Sequence, residues 1–210
     1  MPILTHGKST NVSQKGRTMG VSRPIKEMEQ IKNLEQYFLK KGQYRNYCLV
    51  VLGLNTALRI SDLLDLKWSD VRNEDKNKFY SHILITEQKT KKHTQIYLNI
   101  PVVKALRKYW ENEKKTRNHS YIFFSPRKPD SPISRIQAYR IIKAAAEQLA
   151  LPEQISCHSL RKTFGYQAWK TGAEPALLMH IYNHSSYQIT KRYLGIDQDD
   201  KDKLFMKLEL

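Results

Sequence analysis

The chain has 210 residues, 40% apolar and 27% charged, which is typical of a globular domain and excludes a low-complexity protein. Its 36 lysines and arginines against 20 acidic residues give a net charge of +16, which predicts a polyanionic partner, most commonly nucleic acid. The two cysteines form no CxxC pair and the longest apolar stretch, residues 47–58, is too short for a membrane span, so a cytoplasmic setting is expected.

The first part of the chain is predicted to be an arm followed by three helices. Residues 1–20 are polar and basic without an apolar period, so we expect a flexible arm. Ser22 is predicted to cap a helix over residues 24–40, whose apolar residues recur at helical spacing. A largely buried helix is predicted over residues 44–57, and a third, capped by the preceding serine, over residues 62–68.

The middle of the chain changes to strand-like composition and then returns to helix. Residues 82–86 and 95–100 are rich in branched and aromatic side chains and are predicted to form a hairpin. A helix is predicted from Pro101 to about residue 115, and a serine-capped one over residues 135–150. The rest is predicted to be helical in short pieces, so the fold class is mainly α with a small antiparallel β-sheet (α+β) over residues 21–210.

Two polar residues near the C-terminus are spaced for one face of a helix. His158 and Arg161 are three residues apart, and Ser156 or Ser159 can cap a helix that carries both in its first turn. Free N–H groups at such a helix end favour a phosphate. The alternative is a surface histidine and arginine on an ordinary amphipathic helix.

His184 and Tyr193 are nine residues apart and would face opposite sides of an unbroken helix. Residues 183–186 carry a turn and cap signal, which predicts a break. A short helix is then expected over residues 187–194, with Gly195 in left-handed geometry as its stop. The break would let both side chains reach one site. The alternative is that the tyrosine is one of the core aromatics.

Arg59 lies inside an apolar run at a predicted junction between two helices. An arginine in such surroundings needs a buried acidic partner or a bound anion. A structural salt bridge to Asp62 or Asp65 is therefore one interpretation, and contact with a phosphate is the other.

The predicted hairpin turn is basic. Lys89 is a candidate for a role at the site, but Lys91 and Lys92 compete for it, and simple solvated charge is the alternative for all three. Two arginines, two histidines and one tyrosine are what a protein needs to attack a phosphodiester with a phenol. Arginines hold phosphate oxygens by forked hydrogen bonds, histidines move protons near neutral pH, and a tyrosine can become covalently attached. Such chemistry requires no metal and no cofactor.

Taken together, the residues named above and the sequence around them resemble the catalytic domain of the tyrosine recombinases, also called the phage-integrase family. The resemblance covers about residues 24–196, and six positions match in order and spacing. One departure is Asn183, where the family usually has glycine; asparagine tolerates left-handed geometry, so the turn is expected to survive. The strings that carry the resemblance are Thr56-Ala57-Leu58-Arg59-Ile60-Ser61-Asp62, Gln88-Lys89-Thr90, His158-Ser159-Leu160-Arg161 and the pair His184 and Tyr193.

The resemblance implies strand exchange on DNA. Tyr193 would attack a DNA phosphate to form a 3′-phosphotyrosyl link, and a 5′-hydroxyl from a partner strand would reverse the reaction. Lys89 would protonate the leaving 5′-oxygen, and His158 would assist proton transfer. Asp62 stands where the family has a supporting acidic residue. The groups that would stabilise charge on the phosphate oxygens are Arg59, Arg161 and His184.

The implied partner is double-stranded DNA, with Lys91 and Lys92 as phosphate contacts and self-assembly on DNA up to a tetramer. The family relationship suggests a bacterial, phage or mobile-element protein at the nucleoid. A type IB topoisomerase-like enzyme that nicks and rejoins alone is an alternative, and a DNA-binding module without strand transfer is another.

The two ends of the chain carry further expectations. Most family members have an N-terminal DNA-binding domain, so either a catalytic fragment or a natural single-domain form is expected, with a weaker grip on DNA. Residues 201–210 are amphipathic and too short to form a helix alone in water. They are expected to pack on their own domain or, as tails of the resembling family often do, on a neighbouring protomer.

Overall fold

The computed structural model describes residues 22–89, 91–113, 119–152 and 154–208, so the predicted arm lies outside the described residues. The fold is mainly helical, and the described residues form ten α-helices and six short strands. The helices are α1 Met28–Lys40, α2 Tyr44–Asn55, α3 Ile60–Leu64, α4 Trp68–Val71, α5 Ile100–Asn112, α6 Arg135–Gln148, α7 Cys157–Lys170, α8 Pro175–Tyr182, α9 Tyr187–Leu194 and α10 Gln198–Lys207. None of these helices is long and apolar enough to cross a membrane.

The strands form separate antiparallel pairs rather than the one small sheet that was predicted. The pairs are β1 Arg72–Asn73 with β2 Lys78–Phe79, β3 His82–Thr86 with β4 His93–Tyr97, and β5 Phe124–Ser125 with β6 Lys128–Pro132. The predicted hairpin is β3–β4, in register from His82 opposite Tyr97 to Thr86 opposite His93. Its second strand begins two residues earlier than expected. The predicted fold class, mainly α with small antiparallel β structure, is confirmed.

Two predicted helix starts are wrong. The first helix begins at Met28 rather than Pro24, because Ile25 is drawn into the core and its N–H donates to the Thr163 hydroxyl at 2.8 Å. The third helix begins at Ile60 with Arg59 as its N-cap, and Trp68 opens the separate helix α4. At the start of α1, packing against distant residues overrode the local cap signal.

Helix α2 is the centre of the core, since every residue from Cys48 to Leu54 is buried. One face packs in an apolar cluster with α5, and the other packs with α1, α6 and α7. Cys48 is a buried free thiol. The buried side chains of α5 include Tyr109, whose hydroxyl donates to the Ile122 carbonyl at 3.0 Å. The core therefore holds α7, which carries His158 and Arg161, against helices α1, α2 and α6.

A smaller apolar cluster fixes the C-terminal helices on α7. Leu178 and Tyr182 of α8 and Leu194 of α9 are buried together there. Gly165 of α7 allows this close approach, because a Cβ atom at that position would lie 2.5 Å from both the Leu194 side chain and the Tyr182 hydroxyl. Since Leu194 is anchored in this cluster, the position of the adjacent Tyr193 is set by the same packing.

Candidate active site

Aromatic and imidazole rings from three elements surround Tyr193. Its ring centre lies 5.3 Å from that of His158 and 5.1 Å from those of His184 and Tyr182. The guanidinium of Arg161 lies 4.8 Å from the centre of the Tyr182 ring. Four of the residues selected from the sequence therefore meet in one cluster, although they come from α7, the turn after α8, and α9.

Helix α7 places His158 and Arg161 as their spacing predicts. The helix begins at Cys157 with Ser156 as N-cap, and the Ser156 N–H donates to the Ser159 hydroxyl at 3.0 Å. Arg161 is 5% exposed, which is rare for an arginine. The Tyr182 hydroxyl donates to the backbone carbonyl of Arg161 at 2.7 Å, and this hydrogen bond joins α8 to α7.

The predicted break between His184 and Tyr193 is confirmed. Asn183 ends α8 in left-handed geometry with φ 55°, and Gly195 ends α9 with φ 69°. Ser186 caps α9, its hydroxyl accepting from the Ile189 N–H at 3.3 Å. The chain therefore turns between the two helices, and both side chains face the same cluster.

The ring of His184 is oriented by a residue that the sequence analysis did not select. A hydrogen bond of 3.1 Å joins His184 Nδ1 to the hydroxyl of Thr190, which is fully buried one turn into α9. With Nδ1 engaged, the other ring nitrogen is the one left for a substrate. The spacing of six residues across a turn carries no local signal that would have pointed to this threonine.

The hydroxyl of Tyr193 is buried without a hydrogen bond of regular geometry to a described residue. Burial raises the pKa of Tyr193, whereas the charge of Arg161, an irregular hydrogen bond with the side chain of Arg161 and the charge of Arg59 act to lower it. A buried hydroxyl without a hydrogen bond of regular geometry costs free energy, and such groups are concentrated at functional sites. The phenol therefore lies beside the Arg161 guanidinium without being fully satisfied by it.

Both histidines are held in the neutral form. Partial burial, together with the charges of Lys162, Arg161 and Arg59, lowers the pKa of His158 to about 4. Burial and the same two arginines also lower the pKa of His184. The charge of Arg59 acts on both rings in the same direction as that of Arg161. Neutral imidazoles can accept a proton, which is what a phenol must lose before it attacks.

Arg59 has an acidic partner other than the two that the sequence suggested first. Its guanidinium forms an ion pair with Glu87, a buried residue at the end of β3. The Asp62 carboxylate, with its side chain 1% exposed, lies 4.0 Å from the guanidinium and accepts a 3.0 Å hydrogen bond from the Gln88 N–H. Asp65 accepts from the Gln88 side chain instead. The salt-bridge interpretation is therefore correct for Asp62, but it missed Glu87.

The basic turn of the β3–β4 hairpin lies beside the cluster. Lys89, Lys91 and Lys92 are all exposed. The ammonium of Lys92 donates to the side-chain oxygen of Asn183, next to His184. The turn therefore contacts α3 through the Gln88–Asp62 hydrogen bond, and it contacts the break between α8 and α9 through Lys92. The contact with the site that the structure describes is made by Lys92, one of the two lysines that competed with Lys89 for a role there.

The described part of the chain offers little for a metal site or for a cysteine nucleophile. No group of three or more histidine, cysteine and acidic side chains there could hold a metal ion. Cys157, which adjoins His158, is half-buried, and burial raises the pKa of its thiol to about 12. A thiol with so high a pKa is a poor nucleophile, since the thiolate is the reactive form.

Comparisons with known proteins agree on one family. The model described as "Phage integrase family" matches residues 25–199. The chain is 43% identical over 182 residues to "Probable integrase/recombinase YoeC" of Bacillus subtilis (strain 168), covering 86% of this chain and 93% of that protein.

Solved structures share the fold. The XerA recombinase superposes with a TM-score of 0.71 at 20% identity, covering 91% of this chain and 68% of that one. The XerH site-specific recombinase, in a post-cleavage complex with its palindromic difH substrate, superposes with a TM-score of 0.67 at 16% identity, covering 94% of this chain and 57% of that one.

Proposed function

The chain belongs to the phage integrase family, and we propose that it is a site-specific DNA recombinase in which Tyr193 is the nucleophile. The observation that carries the role of Tyr193 is its buried hydroxyl, which has no hydrogen bond of regular geometry to a described residue and lies in a cluster with Arg161 and two histidines of lowered pKa. A phosphodiester placed against this hydroxyl would be the missing partner.

The cleavage step is a transfer of a phosphoryl group from a sugar oxygen to the phenol. The Tyr193 oxygen forms a bond to phosphorus, and the bond from phosphorus to the 5′-oxygen breaks. His158, neutral at physiological pH, takes the phenol proton. The negative charge that develops on the phosphate oxygens is met by Arg59, Arg161 and His184. Attack by a 5′-hydroxyl on the phosphotyrosine then reseals the strand without an energy source.

The leaving 5′-oxygen must receive a proton, and the hairpin turn supplies lysines for that purpose. Lys89 keeps the role of general acid that the family resemblance implies. Lys91 and Lys92 extend the same exposed basic turn and contact neighbouring phosphates. Asp62 supports this arrangement, because it binds the backbone of the turn through Gln88 and faces Arg59. The hairpin that carries these lysines is therefore attached to the proposed phosphate-binding residue Arg59 through Glu87.

The substrate is double-stranded DNA, which accounts for the net charge of +16. Two similar proteins support this choice, a probable integrase/recombinase and a recombinase whose structure contains its difH substrate. The protein then acts at the bacterial nucleoid, and it is encoded either by the bacterium or by a phage or mobile element.

Assembly on DNA is proposed to use the C-terminal helix α10. Its first turn is bound to its own domain, because Asp200 pairs with Lys26 at 2.9 Å and accepts a hydrogen bond from the Tyr166 hydroxyl at 2.6 Å. Its later apolar side chains are exposed and free to pack on a second protomer, up to a tetramer. These side chains, with their exposed fractions, are Leu204 64%, Phe205 75%, Met206 74% and Leu208 60%.

A nicked suicide substrate tests the proposed function, since cleavage then traps the covalent adduct as a shifted band on a denaturing gel. Tyr193→Phe removes only the attacking oxygen, so it should abolish the adduct and leave DNA binding nearly intact. Tyr187→Phe, at the other end of α9, is the matched control and should retain the adduct. An adduct that persists in Tyr193→Phe would show that the nucleophile is another residue.

Two simple assays distinguish the alternative functions from the proposed one. A topoisomerase-like enzyme would relax a supercoiled plasmid that lacks any recombination site, whereas a recombinase requires its site. A DNA-binding module would form no adduct on any substrate. The convergence of Tyr193 with the two histidines and Arg161 favours the recombinase over the module.

A further inference from the structure

Lys162 is a buried lysine beside the proposed nucleophile. It follows Arg161 on α7 and is 5% exposed, which is uncommon for a lysine. Its ammonium lies 5.0 Å from the centre of the Tyr193 ring, within the range of a cation–π contact. Neither the reaction scheme above nor the family resemblance gives this residue a role.

The ammonium of Lys162 is held in place by the segment Ser22–Glu27, here called the N-terminal strap. Lys162 donates to the Ser22 carbonyl at 2.6 Å. Along the same helix, Thr163 accepts from the Ile25 N–H at 2.8 Å, and the Gln167 amide donates to the Lys26 carbonyl at 2.9 Å. Because the strap is bonded to α7 at Lys162, Thr163 and Gln167, the lysine side chain is anchored at its charged end.

The strap also contacts the chain that follows Tyr193. Lys26 pairs with Asp197 at 3.1 Å and with Asp200 at 2.9 Å. Pro24 lies against Gly195, where an added Cβ atom would be 3.1 Å from the proline ring. The strap thus connects α7 to the segment that follows Tyr193, and Lys162 is the residue at which the strap approaches the phenol ring.

We propose that Lys162 is a positioning residue for strand cleavage, which holds the ring of Tyr193 through a cation–π contact while the Ser22 carbonyl fixes its ammonium. This inference rests on the proposed nucleophile. A phenol attacks efficiently only from a narrow range of positions, so a fixed cation on the ring face reduces the freedom that must be lost on reaching the transition state.

The experiment measures single-turnover cleavage of a nicked suicide substrate at saturating DNA. Lys162→Gln keeps an N–H donor for the Ser22 carbonyl but removes the charge, and its rate should fall by about tenfold, as expected for loss of a desolvated cation–π contact. Lys162→Arg keeps a cation that stacks on aromatic rings and should recover most of the lost rate. The matched control is Lys41→Met, because Lys41 lies 4.2 Å from the ring of Tyr37 on α1 and should cleave normally.

A purely structural role for Lys162 predicts other results. Lys26→Met removes the ion pairs between strap and tail while leaving the ammonium of Lys162 in place, so it should cleave faster than Lys162→Gln. The proposal is wrong if Lys162→Gln cleaves at the wild-type rate, if Lys162→Arg is equally slow, if extra DNA restores the rate, or if Lys26→Met matches Lys162→Gln.

Melting temperatures identify any variant that fails to fold. If Lys162→Gln does not fold, the cleavage rate of Lys162→Arg decides whether a cation at this position is sufficient. Failure of this inference is separable from failure of the proposed function, because only the latter would leave an adduct in Tyr193→Phe.

Discussion

The guanidinium of Arg59 is ion-paired with the carboxylate of Glu87, which lies 28 residues further along the chain at the end of β3. The pair joins the start of α3 to the hairpin whose turn contains Lys89. Since the side chains of Arg59 and Glu87 are only 22% and 12% exposed, the interaction is weakly screened by solvent. The proposed phosphate-binding arginine and the proposed general acid therefore belong to one connected unit.

Replacement of Glu87 by glutamine should lower both stability and cleavage. The change leaves Arg59 with Asp62 as its acidic partner at 4.0 Å, and we expect a loss of about 2 kcal/mol in the free energy of unfolding. Denaturant unfolding and the adduct assay measure the two effects. The matched control is Glu147→Gln, which weakens a surface pair between the exposed Glu147 and the half-buried Lys143 and should change stability by about 0.5 kcal/mol or less. Equal behaviour of the two variants would contradict the coupling.

Lysine should not replace either proposed phosphate-binding arginine. Arg161→Lys and Arg59→Lys keep the charge but lose the planar fork that spans two phosphate oxygens. Cleavage at saturating DNA should fall by about 10²–10³, the usual effect of losing one charge-stabilising contact. Arg107→Lys, on the exposed side of α5, serves as the control and should cleave normally. Near-normal cleavage by both site variants would mean that these arginines serve packing only.

Acid should destabilise the protein through His158. Its pKa is about 4 in the folded chain, below the ordinary value of about 6.5 in the unfolded chain, so the unfolded state binds the proton more readily. Stability from this group is complete above about pH 6.5 and is lost as the pH falls towards 4. The melting temperature of His158→Gln should consequently fall less between pH 7 and pH 5 than that of the wild type. His180→Gln, an exposed position on α8, should follow the wild type.

Deletion of residues 201–210 should separate assembly from folding. The first-turn contacts of Asp200 with Lys26 and Tyr166 remain, and the apolar side chains that are removed are exposed, so the melting temperature should change little. Single-site DNA binding should persist, whereas cooperative complexes on paired sites should be lost in gel-shift titrations. A clear drop in melting temperature together with lost helicity would instead place the tail in the core of its own domain.

Much of the local geometry of the site could be predicted from neighbouring residues alone. The shared face of His158 and Arg161 follows from their spacing on a helix, and the break before Tyr193 follows from Asn183 and the serine cap. Gly195 ends α9 in the left-handed geometry expected of it. These features depend on hydrogen bonds within a few residues, so the local pattern is sufficient to predict them.

The sequence by itself determined which chemical groups are present and how each is held within its own turn or helix. Only the tertiary structure decided that Arg59 pairs with Glu87, that Lys92 reaches Asn183, and that Lys162 lies against Tyr193. The same holds for the start of α1, which local caps placed too early because Ile25 is buried against α7. Each of these contacts joins residues far apart in the chain, and their meeting is set by how the helices and the hairpin pack around the core rather than by local propensity.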